Sequence, residues 1–167
     1  MTRSKLHITS DKFVNVSLIA PKGKALHSPC EEVKDITDEI RDLVPYLIRI
    51  MRKEDGVGIT ANQVGINKAV FITNIPGDHI RIYVNPSIIK TWSYSMNVEE
   101  GCLTFPDKLL KVQRKRHVLL HAINLKGEQF MVNTQHPIYN PKTSALISVC
   151  LQHEMDHING VDMRQYL

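Results

Sequence analysis

The sequence lacks the features that mark several large classes of protein. Its 167 residues include only three cysteines, Cys30, Cys102 and Cys150. Such a low and odd count excludes a disulfide-stapled scaffold and favours a reducing compartment. No apolar run approaches the roughly 20 residues that a membrane-spanning helix needs, and the N-terminus lacks the apolar core of a signal peptide. We therefore expect a cytoplasmic protein that does not bind membranes.

Repeats, low-complexity tracts and linker-like segments are also missing from the chain. Hydrophobic residues make up 43% and charged residues 23%, which is typical of globular proteins and not of disordered ones. A chain of this length suffices for one domain with a sizeable core. We therefore expect residues 1–167 to form a single domain, and we expect that domain to be monomeric.

The net charge of +4 includes one dense basic segment, residues 108–116. This segment could bind a polyanionic partner such as RNA, including a transient contact with the ribosome. Alternatively, it is a solvated strand edge whose charges oppose aggregation. Aromatic residues do not interleave with the charges, so the strand edge is favoured and the ribosome contact stays open as an alternative. The basic residues are Lys108, Lys111, Arg114, Lys115 and Arg116.

The hydrophobic pattern predicts an α+β fold. A first helix should begin near Thr37 and should kink or break locally at Pro45. A second helix is predicted over 142–159, capped by Thr143 or Ser144. We expect this second helix to be central, with small antiparallel sheets around it and the first helix, near the N-terminus, on the outside. The predicted strands are 13–19, 69–75, 80–85, 118–124 and 129–132, with turns at Gly77 and Gly127.

The second predicted helix carries a His-Glu-x-x-His motif at His153, Glu154 and His157. Residues i and i+4 lie one turn apart on the same side of a helix, so the two imidazoles can bind one metal ion. Glu154 is offset around the helix, where its carboxylate can take a proton from water. The motif predicts a metal-dependent hydrolase with Glu154 as the acid–base residue.

A catalytic metal site of this kind usually needs a third protein ligand. Met163 stands where one metalloprotease class has that ligand, and the sequence ends at Leu167, so we expect the ligand to come from upstream. Cys102 is the best candidate. Cys150 is the rival, although its place on the helix suits the lining of a pocket better, and Cys30 is expected to be incidental.

Three segments, taken in order, extend this pattern. Residues 56–63 read Gly-Val-Gly-Ile-Thr-Ala-Asn-Gln, 100–104 read Glu-Gly-Cys-Leu-Thr, and 152–157 read Gln-His-Glu-Met-Asp-His. Alone, the glycine-rich segment is a weak signal that could be a plain connector. Together, the three segments resemble the motifs of the peptide deformylases, and the likeness runs over about 19–166, nearly the whole chain.

The resemblance implies an activity and a metal site. Cys102, His153 and His157 would hold one divalent ion, with Fe²⁺ as the native metal and Zn²⁺ or Ni²⁺ as alternatives. With Glu154 as acid–base residue, the protein would remove the formyl group from N-formylmethionyl nascent peptides and release formate. The alternative is a general His-Glu-x-x-His metalloendopeptidase, in which Cys102 would be dispensable.

The resemblance also implies contacts with the substrate. The Gln63 side chain and the Leu103 backbone N–H would stabilise the oxyanion. Gly58 would meet the substrate backbone, and other residues would line a pocket for the methionine side chain. These further substrate-binding residues are Val57, Val98, Glu100, Leu146, Val149 and Cys150.

The chain departs from the family pattern at three places. Thr60 stands where the family usually has an alanine, a change that we expect only to affect packing. Leu109 replaces an arginine that helps some members to bind peptide, which puts substrate affinity in question. The sequence ends ten residues after His157, so we expect a short form without the extended C-terminal helix of many bacterial members.

Overall fold

The structure, a computed structural model, describes residue 13 and residues 15–167. This part of the chain contains two α-helices and one antiparallel sheet, so the predicted α+β class is confirmed. The helices are α1 (Asp38–Lys53) and α2 (Pro141–Ile158). The sheet has the order β1 (Gly58–Thr60), β2 (Val70–Thr73), β3 (Arg81–Cys102), β4 (Phe105–Ile123) and β5 (Gln129–Asn133).

β2 is buried on both faces of the sheet. Its side chains alternate, so Val70 and Ile72 join the core cluster at α1, whereas Phe71 joins the cluster at α2. α1 packs against β1 and β2, while α2 packs against all of β1, β2, β3 and β4. The two helices therefore cover opposite faces of this part of the sheet, and α2 takes the central position.

β3 and β4 form one long hairpin. The sequence predicted only its open end, residues 80–85 and 118–124. Their pairing is interrupted by four register shifts, the last between Gly101 and Cys102. Such irregularities bend a strand and break the simple alternation of apolar and polar residues that marks a strand in a sequence. The strands that we expected in several small sheets therefore belong to one sheet. Within it, β3 carries the chain from the end of β2 to Cys102.

α1 begins after Thr37, as predicted, but it continues without interruption through Pro45. The predicted local break is therefore wrong, and a kink at Pro45 stays a prediction. A proline inside a helix removes one backbone hydrogen bond. α1 also buries a complete face, including Leu43, Leu47 and Met51, each at most 1% exposed. This packing stabilises the helix across the missing bond.

Asn140 caps α2, rather than Thr143 or Ser144. The Asn140 side-chain oxygen accepts a hydrogen bond of 2.9 Å from the backbone N–H of Thr143. Pro141 follows at the first helical position, where a missing N–H is harmless. The Ser144 hydroxyl instead donates to the carbonyl of Thr134, which ties α2 to the end of β5. The cap thus lies three residues before the earlier of the two predicted positions.

Residues 15–20 contain no strand, so the predicted edge strand over 13–19 does not form in the described part of the chain. Instead, the backbone N–H of Ile19 donates to the carbonyl of Gln63, in the short 3-10 helix Ala61–Val64. Residues 1–12 and 14 lie outside the described residues. No helix in the described ranges combines the length and the apolar character needed to cross a membrane.

We predict that Gly160→Ala will destabilise the fold more than Gly127→Ala. Both glycines have left-handed backbones, with φ values of +66° and +83°. A methyl group at Gly160 would also overlap the backbone of Ser28, whereas the space at Gly127 is open. We expect Gly160→Ala to lower the free energy of unfolding by roughly 2–4 kcal/mol and Gly127→Ala by about 1 kcal/mol, measured in urea. Equal losses would contradict this assignment.

Candidate active site

Three side chains of metal-ligand type meet in the interior of the protein. α2 presents His153 and His157 one turn apart, and the end of β3 brings Cys102 to them. Cys102 Sγ lies 3.4 Å from His157 Nε2. One ligand atom of each residue lies within 4.8 Å of the others, and all three residues are buried. The structure thus brings together the three residues that the sequence proposed as ligands.

The cluster suits a single metal ion. With metal–ligand bonds of about 2.0–2.3 Å, two ligand atoms on one ion lie roughly as far apart as Cys102 Sγ and His157 Nε2 do here. Burial, together with the charges of His153 and Arg114, holds the pKa of His157 well below its usual value. His157 is therefore neutral, which is the form of histidine that binds metals.

His153 is held by a buried network of ion pairs that the sequence did not reveal. Its Nδ1 lies 2.8 Å from a carboxylate oxygen of Glu100. Arg114 donates to both Glu100 oxygens, at 2.7 and 2.9 Å, and to Asp156 at 2.6 Å. A carboxylate on one ring nitrogen orients the imidazole and leaves Nε2 for a metal. Glu100, expected to bind substrate, thus has its carboxylate occupied by Arg114 and His153.

The network sets the charge of its members. Burial disfavours ionisation of Glu100, but its hydrogen bonds with Arg114 and His153 outweigh burial, so the pKa of Glu100 is lowered. Burial likewise works against the charged form of His153, but the neighbouring Cys102 and Glu100 raise its pKa to about 10, so a metal ion bound at Nε2 would displace a proton from this ring. The Glu100 carboxylate is therefore ionised and fully engaged.

The glycine-rich segment places an amide beside the cluster. The Gln63 side-chain oxygen accepts a hydrogen bond of 2.9 Å from the Thr60 backbone N–H. The Gln63 Nε2 atom then points the other way, 3.2 Å from the Thr104 hydroxyl and 3.9 Å from Cys102 Sγ. Because the oxygen has a fixed donor, the amide presents its N–H groups on the side of Cys102, where the sequence proposed an oxyanion donor.

Glu154 is buried against the same segment. The Thr60 hydroxyl donates a hydrogen bond of 2.6 Å to Glu154 Oε2. Burial raises the pKa of Glu154, against the opposing effects of His153 and of the Thr60 hydrogen bond. Thr60 was expected only to affect packing, and that expectation is incomplete because its hydroxyl also contacts this carboxylate. The departure from alanine was the signal for it in the sequence.

A cavity of about 390 Å³ opens beside the cluster. Both oxyanion candidates and most of the predicted substrate contacts line it. From the predicted site, the lining residues are Val57, Gly58, Gln63, Glu100, Cys102, Leu103, Leu146, Val149, Cys150, His153 and Glu154.

Val98 is the predicted substrate contact that the structure places elsewhere. It packs with Cys102, Leu110 and Val112 in a separate apolar cluster, and its neighbour Glu99 lines the cavity instead. Val98 is half-buried against that cluster, and its contact with substrate stays a prediction.

The basic segment 108–116 is not uniformly solvated. Arg114 is only 5% exposed because it forms the ion pairs described above. Arg116 donates to the Ser144 hydroxyl and to the Pro141 carbonyl, both at 3.0 Å. The prediction of a solvated strand edge is thus wrong for Arg114, and the segment offers fewer free charges to a polyanion than its sequence suggested.

We predict that Arg114→Met will lower the free energy of unfolding by about 3–5 kcal/mol, because it leaves the buried Glu100 carboxylate without its guanidinium. Urea denaturation will measure this loss. Arg41→Met is the matched control, because Arg41 pairs with Asp38 at 3.3 Å on the surface. Exposed pairs contribute little, so the control should match the unchanged protein. Comparable losses in both variants would contradict a larger contribution of the buried network to the free energy of unfolding.

The chain matches known proteins along most of its length. A family model described as polypeptide deformylase matches residues 17–166. Over 144 residues, the chain is 34% identical to peptide deformylase 1 of Ralstonia nicotianae, covering 85% of this chain and 80% of that protein. It is 36% identical to peptide deformylase of Clostridium botulinum over 135 residues, 81% of this chain and 84% of the relative.

The fold agrees with these matches. A crystal structure of peptide deformylase from Ehrlichia chaffeensis in complex with actinonin is similar, with a TM-score of 0.81 at 26% sequence identity. The likeness covers 91% of this chain and 88% of that chain. The fold of this chain and its sequence similarity to these proteins together establish that it belongs to the peptide deformylase family.

Proposed function

We propose that this protein hydrolyses the formyl group from N-formylmethionyl nascent peptides and releases formate. The observation that carries the proposal is the buried set of Cys102, His153 and His157, with the Glu154 carboxylate at the wall of the same cavity. Members of the family are metal-dependent, and this set supplies three ligand atoms.

In this proposal, Cys102, His153 and His157 hold one divalent ion. When bound, the ion polarises the formyl carbonyl and makes a water molecule nucleophilic near neutral pH. One thiolate and two imidazoles suit Fe²⁺, which we propose as the native metal, and also Zn²⁺ or Ni²⁺. Glu100 and Arg114 act on the ligand set indirectly, by fixing the imidazole plane of His153.

The cavity accommodates the formylated methionine. Its apolar wall, formed in part by Val57, Leu146 and Val149, would contact the methionine side chain. The formyl oxygen would lie between the Gln63 amide and the backbone N–H of Leu103. Donors at such positions stabilise the negative charge that develops on that oxygen, each commonly contributing about 3 kcal/mol to the transition state.

Glu154 carries the proton that the reaction must move. Water adds to the formyl carbon, and Glu154 takes the proton that the water loses. The carbon–nitrogen bond then breaks, and Glu154 gives the proton to the departing amine. Formate and a peptide with a free amino group result. Gly58 leaves room for this carboxylate, because a side chain at that position would overlap Glu154 Oε1.

The nature of the substrate also bears on location and partners. Nascent chains are made by cytoplasmic ribosomes, so we propose that the enzyme is cytoplasmic. We also propose that it acts as a monomer. A transient ribosome contact through 108–116 would depend on the exposed Lys108, Lys111 and Lys115, since Arg114 and Arg116 have partners within the protein.

We predict that the metal-loaded protein will release formate from formyl-Met-Ala-Ser, and that Glu154→Gln will lower kcat by about 10²–10⁴-fold because it removes the proton carrier. Metal content, measured in parallel, should not change in the variant. Absence of formate release from the unchanged protein would overturn the proposal. Cleavage of casein that survives loss of Cys102 would instead support the metalloendopeptidase alternative.

We predict that Cys102→Ser will lose most of its bound metal, because a serine hydroxyl is a much poorer ligand than a thiolate for these ions. Elemental analysis after anaerobic purification will measure metal per chain. Cys30→Ser is the matched control, since Cys30 lies outside the cluster and serine keeps a donor toward the His157 carbonyl, which Cys30 Sγ contacts at 3.9 Å. Equal metal contents in the two variants would remove Cys102 from the ligand set.

A further inference from the structure

Thr60 contacts the catalytic carboxylate from behind the cavity. It is fully buried and does not border the cavity itself. Its hydroxyl is 2.6 Å from Glu154 Oε2. Within the described chain, it is the only protein group that donates a hydrogen bond to this carboxylate. The alanine usual in the family has no hydroxyl and could not make this contact.

The two oxygens of Glu154 have different surroundings. Oε2 points to Thr60, away from the cavity, whereas Oε1 lies beside Gly58, which lines the cavity. A side chain at Gly58 would overlap Oε1 and would also come within 2.9 Å of Cys150 Sγ. The Thr60 hydroxyl therefore holds Oε2, while Oε1 lies against the backbone of Gly58, a residue that borders the cavity.

A glutamate carboxylate does not keep such an orientation by itself. The terminal torsion of a glutamate side chain has broad, roughly two-fold preferences, so the plane of its carboxylate turns easily. Hydrogen bonds to an ionised carboxylate are short and about twice as strong as bonds between neutral groups. The hydrogen bond from the Thr60 hydroxyl thus fixes the plane of the carboxylate, which the side-chain torsion alone does not fix.

The same residue also orients the oxyanion candidate. The backbone N–H of Thr60 donates to the Gln63 side-chain oxygen at 2.9 Å. The Thr60 side chain also accepts from the Gln63 backbone N–H, which completes a capping box. Removal of the hydroxyl would therefore free Glu154 and the Gln63 backbone N–H, but it would keep the bond that orients the Gln63 side chain. The orientation of the Glu154 carboxylate, seen directly in a variant structure, separates the two effects.

We propose that Thr60 is a positioning residue whose hydroxyl fixes the plane of the Glu154 carboxylate and so selects Oε1 as the oxygen that exchanges the proton with substrate. The inference rests on the proposed deformylase activity. Because Thr60 does not border the cavity, its hydroxyl contributes to the chemical step rather than to the binding of peptide. Its loss should lower kcat and leave KM nearly unchanged.

The test compares Thr60→Val, which keeps the shape and removes the hydroxyl, with Thr60→Ser, which keeps the hydroxyl. Formate release from formyl-Met-Ala-Ser is measured on the plateau of each pH–rate profile, so that a changed pKa does not imitate a lost orientation. We expect kcat to fall about tenfold or more in Thr60→Val, a part of the 10²–10⁴-fold that a positioned acid–base group contributes. KM should stay within about twofold, and Thr60→Ser should recover most of kcat.

Thr134→Val is the matched control for loss of a buried hydroxyl. Thr134 is 0% exposed, follows β5, and its hydroxyl accepts a hydrogen bond of 2.9 Å from the backbone N–H of Val118. Thr134 neither borders the cavity nor contacts Glu154, so its substitution should leave kcat unchanged. Thermal melts of all variants will show whether each folds. If Thr60→Val does not fold, Thr60→Ala removes the same hydroxyl with the residue that the family usually carries.

A crystal structure of Thr60→Val, or of Thr60→Ala, supplies a readout that is independent of rate. We expect the Glu154 carboxylate to be rotated or present in two orientations, and to return to one orientation in Thr60→Ser. An unmoved carboxylate in the variant without the hydroxyl, an unchanged kcat, or a failure of Thr60→Ser to recover kcat would each overturn the role of Thr60. Absence of formate release from the unchanged protein would instead overturn the proposed function itself.

Discussion

The arrangement of the site depends on one buried anion, the Glu100 carboxylate. Glu100 lies on β3, its guanidinium partner Arg114 on β4, and its imidazole partner His153 on α2. A buried charge is strongly destabilising unless it is paired and hydrogen-bonded. The three elements must therefore meet at this point, and no small displacement of α2 from the sheet leaves the charges satisfied. The two histidines of α2 acquire their positions as a consequence.

Residues that act through local spacing could be found in the sequence. Two histidines one helical turn apart share a side wherever the helix lies, and the turn at Gly127 needs only its neighbours. Arg114 could not be found in this way, because its partners are 14 and 42 residues away in the chain. In the sequence it is one member of a basic run. Only the long hairpin turns it inward while leaving Lys111 and Lys115 exposed.

Dependence on residues that are distant in the chain also explains the errors in the predicted fold. Three bulges interrupt the alternation in the first half of β3, so that part of the strand carries no regular two-residue period to detect. The break expected at Pro45 followed from a local rule, whereas the continuity of α1 depends on the core against which it packs. Likewise, Thr60 looks like a packing change until the distant Glu154 is placed beside it.

β1 shows how closely the site and the core are interleaved. It has only three residues, and they alternate in direction: Ile59 enters the α1 core cluster, while Gly58 and Thr60 face Glu154 on the other side. The insertion or deletion of one residue here would exchange the two sets. It would bring an isoleucine against the carboxylate and bury a hydroxyl in the α1 core. This stretch should therefore tolerate changes of residue type far better than any change in its length, and a natural insertion nearby would have to come in pairs to preserve both surfaces.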